Sequence, residues 1–173
     1  MTEPETLIAA LSEASLTVAV AESCTAGLVS DLLAQVPGAS RVFWGSFVSY
    51  SVAAKRAMLG LDAARILRYG VVSAETARDM AQGALAQSGA DMAVAVTGLA
   101  GPAGDGSATL VGTVWIGTAF REGCVNALMF HYAGARNDVR LAAAHDAIHT
   151  LLEAYGAGAT PLTHQPSWSK RGH

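Results

Sequence analysis

Charged residues and cysteines are both scarce in this sequence, and each scarcity excludes a class of protein. Asp, Glu, Lys and Arg make up only 14% of the 173 residues, and the formal net charge is −3. Such a chain lacks the basic surface that binds nucleic acid. Two cysteines, Cys24 and Cys124, are too few for a disulfide framework and lack the paired spacing of a zinc site. We therefore expect no nucleic-acid partner and no metal.

Long apolar runs are also missing. None approaches the roughly 20 uninterrupted apolar residues of a membrane helix, and the first residues, MTEPE, are acidic where a secretory signal would be basic. These features predict a cytoplasmic protein that does not enter a membrane. Because 51% of the residues are hydrophobic, the chain can bury the core of a single domain. We expect that domain at residues 1–155 and a mobile tail, rich in Gly, Pro, Thr and Ser, at residues 156–173.

Hydrophobic periodicity predicts helices that alternate with strands. Helical spacing covers residues 5–14, 28–36, 52–59, 74–88 and 137–155, and strand-like runs cover 16–21, 43–50 and 92–96. Residues 111–120 and 124–132 then form an antiparallel hairpin around a short turn with a glycine. This order predicts an α/β fold, a three-layer α/β/α sandwich with a mixed, mostly parallel sheet that contains the hairpin. Ligands of such sheets bind beyond the carboxyl ends of the strands.

Ser23 directly follows the first predicted strand and precedes a predicted helix. At a helix N-terminus, unpaired N–H groups and the macrodipole favour a developing oxyanion, so a serine there could act as a nucleophile. On position alone, however, capping the helix is the more common role of a serine. The neighbouring Cys24 is an alternative nucleophile, although no histidine lies near it in the sequence.

A serine nucleophile needs a base, and two kinds are available. All five histidines lie at or beyond His131, and His145 and His149 suit a helix surface as well as they suit a catalytic triad. Lys55 is one of only two lysines, and burial would lower its pKa so that it could accept a proton. A solvated helix lysine is the more common case. Tyr50 could orient the lysine or the substrate, or simply lie at the edge of the core.

Two further segments could bind a ligand. The glycine-rich loop at residues 97–107 allows backbone N–H groups to approach a phosphate or a ring, although it matches no Walker or dinucleotide motif and a plain long turn also explains it. Arg136 and Arg140 lie one helical turn apart and would suit a 5′-phosphate. Arg140 could instead pair with a surface carboxylate such as Asp138 or Glu153.

Several motifs occur in one collinear run from about residue 5 to residue 152: ESCTAG at 22–27, SYSVAAK at 49–55, YGVVSAETA at 69–77, AVTGLAGPAG at 95–104 and VGTVWIG at 111–117. Together they resemble the CinA C-terminal domain family. Members of that family are nicotinamide-nucleotide amidases, which hydrolyse nicotinamide mononucleotide to nicotinic acid mononucleotide and ammonia in pyridine-nucleotide salvage. The resemblance implies the three-layer sandwich, a homo-oligomer, and chemistry that needs no cofactor.

The same resemblance implies roles for individual residues. Ser23 matches the nucleophile, Lys55 the base and Tyr50 an assisting tyrosine. One of Arg136 and Arg140 matches the substrate-binding arginine. The remaining expected substrate contacts lie in the turn after Ser23, where backbone N–H groups would stabilise the oxyanion, and in the glycine-rich loop: Cys24, Thr25, Thr97, Gly98, Ala100, Gly101 and Pro102.

Three departures from the family pattern concern the substrate more than the fold. Many relatives carry an N-terminal domain similar to molybdopterin-binding proteins, so this chain resembles the stand-alone deamidases. The loop has DGS at 105–107 and then Thr109-Leu110, where the family often has Gly-Gly-Ser and Lys-Pro, and Ala135 replaces the aspartate that commonly precedes the arginine. These changes leave two alternatives: an amidase for another small carboxamide, or a nucleotide-binding accessory module without turnover in a competence or DNA-damage setting.

Overall fold

The computed structural model describes residues 1–157, which form a five-stranded sheet with helices on both faces. The strands are β1 (Val18–Glu22), β2 (Phe43–Val48), β3 (Met92–Gly98), β4 (Thr113–Phe120) and β5 (Val125–His131). Their order is β2-β1-β3-β4-β5; β2, β1 and β3 are parallel, and β4 is antiparallel to both β3 and β5. The predicted mixed sheet and its hairpin are confirmed. Of the predicted tail, residues from 158 onward lie outside the described part.

Helices cover the sheet in two layers. The described helices are α1 (Glu3–Ala14), α2 (Leu28–Ala34), α3 (Val52–Leu59), α4 (Ala63–Tyr69), α5 (Ala74–Ser88) and α6 (Arg136–Gly156), with a 3₁₀ turn at Ala39–Arg41. One layer is α1, α2 and α6, and the other is α3, α4 and α5. Sequence patterning missed α4, which has only seven residues. No helix within residues 1–157 is long and apolar enough to cross a membrane.

The two faces of the sheet bury side chains of different size. On the face under α6, β1 presents Val18 and Val20 to a core of valine, leucine and isoleucine. On the face under α5 it presents Ala19 and Ala21 to a core that is mostly alanine. These small side chains let α5 approach the sheet closely. At Gly117 of β4, an added Cβ would lie only 2.3 Å from the backbone oxygen of Ala77.

Because α5 lies so close to the sheet, we predict that Gly117→Ala lowers the free energy of unfolding substantially. The new methyl group would meet backbone rather than a movable side chain, so α5 must shift. Overpacking of this kind typically costs about 1–3 kcal/mol. Urea denaturation should show this loss of unfolding free energy, whereas the control Gly104→Ala, which adds its methyl to open space, should change little. Equal unfolding free energies for the two variants would contradict the packing described here.

The carboxyl end of β1 lies between the ends of β2 and β3. The backbone N–H of Ser23 donates to Val96 O of β3 at 3.0 Å, and the N–H of Ser49 donates to Glu22 O at 2.8 Å. The sheet hydrogen bonding therefore continues one residue past β1, at Ser23, and one residue past β2, at Ser49. As a result, the turn after β1 and the start of α3 meet at this edge of the sheet.

Candidate active site

The central contact of the site joins Lys55 to Ser23. Lys55 lies in α3, which begins after Ser51, whose side chain caps the helix by accepting from the N–H of Ala54 at 3.1 Å. Lys55 Nζ lies 2.7 Å from Ser23 Oγ and 2.7 Å from the backbone oxygen of Ser49. Although the two side chains are 32 residues apart in the sequence, they form one hydrogen-bonded pair. A base and a nucleophile at this distance can exchange a proton directly.

Lys55 has no exposed surface, so the solvated helix lysine considered from the sequence is wrong. Burial disfavours the ammonium and lowers the pKa of Lys55 from 10.5 to about 8. No ion pair among residues 1–157 includes this lysine, so no carboxylate restores the pKa. The neutral amine is therefore accessible near neutral pH, and its lone pair can accept the proton of Ser23.

The competing nucleophile and bases are less suited. Cys24 is 5% exposed, and burial raises the pKa of its thiol to about 11, which leaves it protonated and unreactive at neutral pH. Among residues 1–157, no histidine hydrogen-bonds to Ser23; His149 of α6 pairs instead with Glu3 of α1 at 2.7 Å. In the described part of the chain, only Lys55 is placed to deprotonate Ser23.

Helix α2 begins at Leu28, five residues after Ser23, so the expected position of Ser23 at a helix N-terminus is wrong. The intervening residues form a turn in which Ala26 and Gly27 adopt left-handed conformations, with φ of 50° and 103°. These two residues redirect the chain before the helix can start. Ser23 therefore lies at the sheet edge and does not cap α2.

The helix start is capped instead by Glu22, a completely buried carboxylate at the end of β1. One oxygen accepts from the N–H groups of Gly27 at 2.8 Å and Val29 at 3.2 Å; the other accepts from the N–H of Ser30 at 3.0 Å and from its hydroxyl at 2.5 Å. A carboxylate there also complements the helix dipole. Sequence reasoning overlooked Glu22, whose signal was an acid at the end of an otherwise apolar buried strand.

Because Glu22 accepts from the N–H groups at the start of α2, these groups are not free to hold an oxyanion, and the N–H groups of the preceding turn are the next candidates. Ala26 donates its N–H to Ser23 O at 3.2 Å. Within residues 1–157, the N–H of Thr25 donates to no protein acceptor, and the N–H of Cys24 has only the sulfur of its own side chain. Both N–H groups directly follow Ser23 in the chain and lie beside its hydroxyl group in sequence, where a bound ligand could meet them.

Arg136 lies at the rim of the site with Tyr50. One guanidinium nitrogen donates to Tyr50 Oη at 2.7 Å, and another donates to the backbone oxygen of Gly101. Tyr50 is 55% exposed, and its hydroxyl contacts Arg136 rather than Lys55. Pro102, which follows Gly101 through a cis peptide bond, is also exposed. Arg136, Tyr50 and the glycine-rich loop thus form one polar, solvent-facing cluster.

Arg140 is half-buried and faces the turn after β1. Its Nε donates to Cys24 O at 2.9 Å, one Nη donates to Thr25 O at 2.9 Å, and the other donates to Asn137 Oδ1 at 3.0 Å. The alternative pairing of Arg140 with Asp138 or Glu153 is therefore wrong. The structure separates the two arginines, with Arg136 at the rim and Arg140 behind the turn.

The first residues of the glycine-rich loop face the protein. The hydroxyl of Thr97 donates to Val71 O at 2.8 Å, and Ala100 is buried in the core. At Gly98, an added Cβ would lie 2.6 Å from a methyl of Val114. These three residues, which the sequence predicted to contact substrate, therefore pack against the rest of the protein and support the base of the loop.

An α/β sandwich with a buried lysine against a serine at the sheet edge defines the class of site, and comparisons define the family. The model of the CinA C-terminal domain matches residues 2–155. The Nicotinamide-nucleotide amidohydrolase PncC of Enterobacter agglomerans is 41% identical over 147 residues, covering 85% of this chain and 90% of that protein. A CinA-like protein of Akkermansia muciniphila is 44% identical over 144 residues, covering 83% of this chain but only 35% of that protein.

Solved structures agree with this assignment. The competence/damage inducible protein CihA from Agrobacterium tumefaciens superposes with a TM-score of 0.83 at 39% identity, covering 88% of this chain and 96% of that one. The chain belongs to the CinA C-terminal domain family. It spans about a third of the length of the CinA-like relative and nearly all of the PncC relative.

The lowered pKa of Lys55 predicts how stability depends on pH. Between pH 8 and 10.5, the unfolded chain holds a proton on this lysine that the folded protein has released, so the unfolding free energy should rise with pH. Relative to a Lys55→Met variant, wild type should gain a few kcal/mol across this window, at about 1.4 kcal/mol per pKa unit. Urea denaturation of both proteins at several pH values measures the difference. A difference independent of pH would mean that Lys55 titrates normally.

Proposed function

We propose that this chain hydrolyses the carboxamide of nicotinamide mononucleotide, giving nicotinic acid mononucleotide and ammonia. The observation that carries the proposal is the 2.7 Å contact between the buried amine of Lys55 and the hydroxyl of Ser23. Serine is unreactive until a base removes its proton, and a desolvated lysine is a base suited to neutral pH. The 41% identity to the relative named for this activity supports the choice of substrate.

In the first half of the reaction, Lys55 takes the proton of Ser23 while Ser23 Oγ forms a bond to the carboxamide carbon. The carbonyl oxygen becomes an oxyanion, which the N–H groups of Cys24 and Thr25 stabilise. When the tetrahedral intermediate collapses, the C–N bond breaks. The leaving nitrogen receives the proton that Lys55 took from Ser23, directly or relayed through the Tyr50 hydroxyl at the rim, and departs as ammonia, which leaves Lys55 neutral again.

The second half of the reaction releases the acid. Water, deprotonated by Lys55, attacks the acyl carbon of the ester on Ser23, and the same N–H groups hold the second oxyanion. Collapse breaks the bond to Ser23 Oγ, which regains its proton from Lys55. One amide bond and one water are consumed, and the protein residues return to their starting protonation states.

Arg136 is the best candidate to bind the 5′-phosphate. It is exposed, and its two protein contacts, Gly101 O and Tyr50 Oη, hold the guanidinium at the open side of the site. A guanidinium with exposed N–H donors can form a bidentate pair with a phosphate. Arg140, whose donors are directed to protein oxygens, is less available for this role.

Removing either member of the pair should stop catalysis without unfolding the protein. Ser23→Ala removes the nucleophile, and Lys55→Met removes the base but keeps an apolar side chain of similar length. We expect kcat for ammonia release to fall by at least about 10²–10⁴-fold in each. The matched control Arg56→Met removes the neighbouring exposed cation of α3 and should keep wild-type kcat. Coupled ammonia detection measures all four proteins.

A substrate panel separates this activity from the alternatives. Nicotinamide mononucleotide, nicotinamide riboside and free nicotinamide share the carboxamide but differ in ribose and phosphate. The proposal expects the highest kcat/KM for the mononucleotide. Binding of the mononucleotide without ammonia release would favour a binding module, and faster release from a non-nucleotide carboxamide would favour a different amidase.

Activity should depend on the protonation of Lys55. Since the free enzyme must hold this lysine neutral, kcat/KM should rise with pH through a midpoint near 8, where burial places the pKa of Lys55, and level off above it. At pH 7 only about a tenth of the molecules would be competent. A profile that rises instead through a midpoint near 6.5 would indicate that a histidine is the base.

A further inference from the structure

The side chain of Arg140 is bound to the two carbonyl oxygens of the turn that follows the nucleophile. Its Nε and one Nη donate to Cys24 O and Thr25 O, both at 2.9 Å. Asn137, one turn earlier on α6, accepts from the remaining Nη at 3.0 Å and fixes the plane of the guanidinium. A planar fork bound at three nitrogens has little freedom to rotate.

The geometry of the peptide bond gives this contact a consequence at the active site. Cys24 O and the N–H of Thr25 belong to the same planar trans peptide, in which the C=O and N–H bonds point in opposite directions. A hydrogen bond that draws Cys24 O toward Arg140 therefore turns the Thr25 N–H away from Arg140. Within residues 1–157 that N–H has no protein acceptor.

The turn is not held in this orientation by local contacts alone. Ala26 adopts the left-handed region, with φ of 50°, which is unfavourable for a residue with a side chain. The backbone hydrogen bonds of the turn beside this peptide are long: Ala26 N–H donates to Ser23 O at 3.2 Å, and Leu28 N–H donates to Thr25 O at 3.3 Å. The two contacts from Arg140, at 2.9 Å, are shorter and add a restraint from a separate element on the orientation of the Cys24–Thr25 peptide.

Arg140 also places a positive charge beside the carbonyl oxygens of the turn. Among residues 1–157, no ion pair includes this guanidinium. A cation on the carbonyl oxygen polarises the amide and makes its N–H a stronger donor, as in other hydrogen-bonded chains. The positive field at the back of the turn also favours negative charge at its front.

We propose that Arg140 is a positioning residue that holds the Cys24–Thr25 peptide so that the Thr25 N–H points at the developing oxyanion, and that it is not the phosphate ligand. This assignment rests on the proposed function, because it takes Ser23 as the nucleophile. The two arginines then have different roles, since Arg136 binds substrate at the rim and Arg140 orders the turn from behind.

The test compares Arg140→Lys and Arg140→Met with Arg136→Met on two substrates. Both Arg140 variants should lower kcat at least about tenfold, toward the 10²–10³-fold seen when an oxyanion donor is lost outright, with KM changed less than about threefold. The loss should be equal for nicotinamide mononucleotide and nicotinamide riboside, because the oxyanion is common to both. Arg136→Met should instead raise KM for the mononucleotide and reduce the preference for it over the riboside.

The opposite pattern would overturn the assignment. If Arg140→Lys kept wild-type kcat, Arg140 would not position the turn; if it raised KM for the mononucleotide while the riboside was unaffected, Arg140 would be a phosphate ligand. Arg140→Lys keeps a positive charge at this position, so it is the variant less prone to misfold. Thermal denaturation of each variant checks that it is folded. Arg56→Met serves as the control for loss of an arginine elsewhere.

A second measurement does not depend on the natural substrate. A small fluorophosphonate phosphonylates an activated serine with loss of fluoride, and its phosphoryl oxygen develops charge where the oxyanion would lie. Intact mass should show one adduct at Ser23, formed at least about tenfold more slowly in both Arg140 variants. If wild type released no ammonia but showed this slowing, the proposed substrate would fail and the inference would stand. Equal rates in wild type and variants, or no adduct in wild type, would overturn the inference.

Discussion

The contact between Lys55 Nζ and Ser23 Oγ depends on an amine that has been removed completely from solvent. Its oxygen neighbours, the Ser23 hydroxyl and the Ser49 carbonyl, are neutral and do not stabilise an ammonium as a carboxylate would. The protein therefore lowers the cost of the neutral amine by withholding a counter-ion. In the neutral form, the same 2.7 Å contact can reverse its direction, with the serine donating to the amine.

The rest of the structure holds Lys55 and Ser23 in this buried contact. Glu22 ends β1, and its backbone oxygen holds Ser49 while its carboxylate holds the start of α2, so one residue orders both sides of the turn that carries Ser23. Helix α3 lies directly on α5 because Gly83 has no side chain; a Cβ there would be 2.4 Å from Leu59 O. This packing holds α3, and with it Lys55, against the rest of the fold.

Hydrophobic patterning predicted the fold well because each strand is a short apolar run and each long helix has a clear apolar face. The chemistry was harder to predict. Position alone gave Ser23 and Lys55 more common structural roles, and only the family motifs joined them, since 32 residues separate the two in the sequence. Helix α4 was missed because its seven residues are too few for a periodic signal. The roles of Glu22 and Arg140 depend on tertiary geometry rather than on sequence pattern. Glu22 caps a helix that begins six residues later. Arg140 contacts backbone oxygens 115 and 116 residues away, and because every residue has a backbone oxygen, such partners cannot be recognised from the sequence.

The most direct test of this mechanism is the titration of Lys55 itself. The sequence has only two lysines, Lys55 and Lys170, so protein labelled with ¹³C at the lysine ε-carbon gives two resonances, and Lys55→Met assigns them. We predict that the Lys55 resonance titrates with a pKa near 8. A pKa near the ordinary 10.5 would show that the amine is solvated and charged at neutral pH, and would contradict its role as the base.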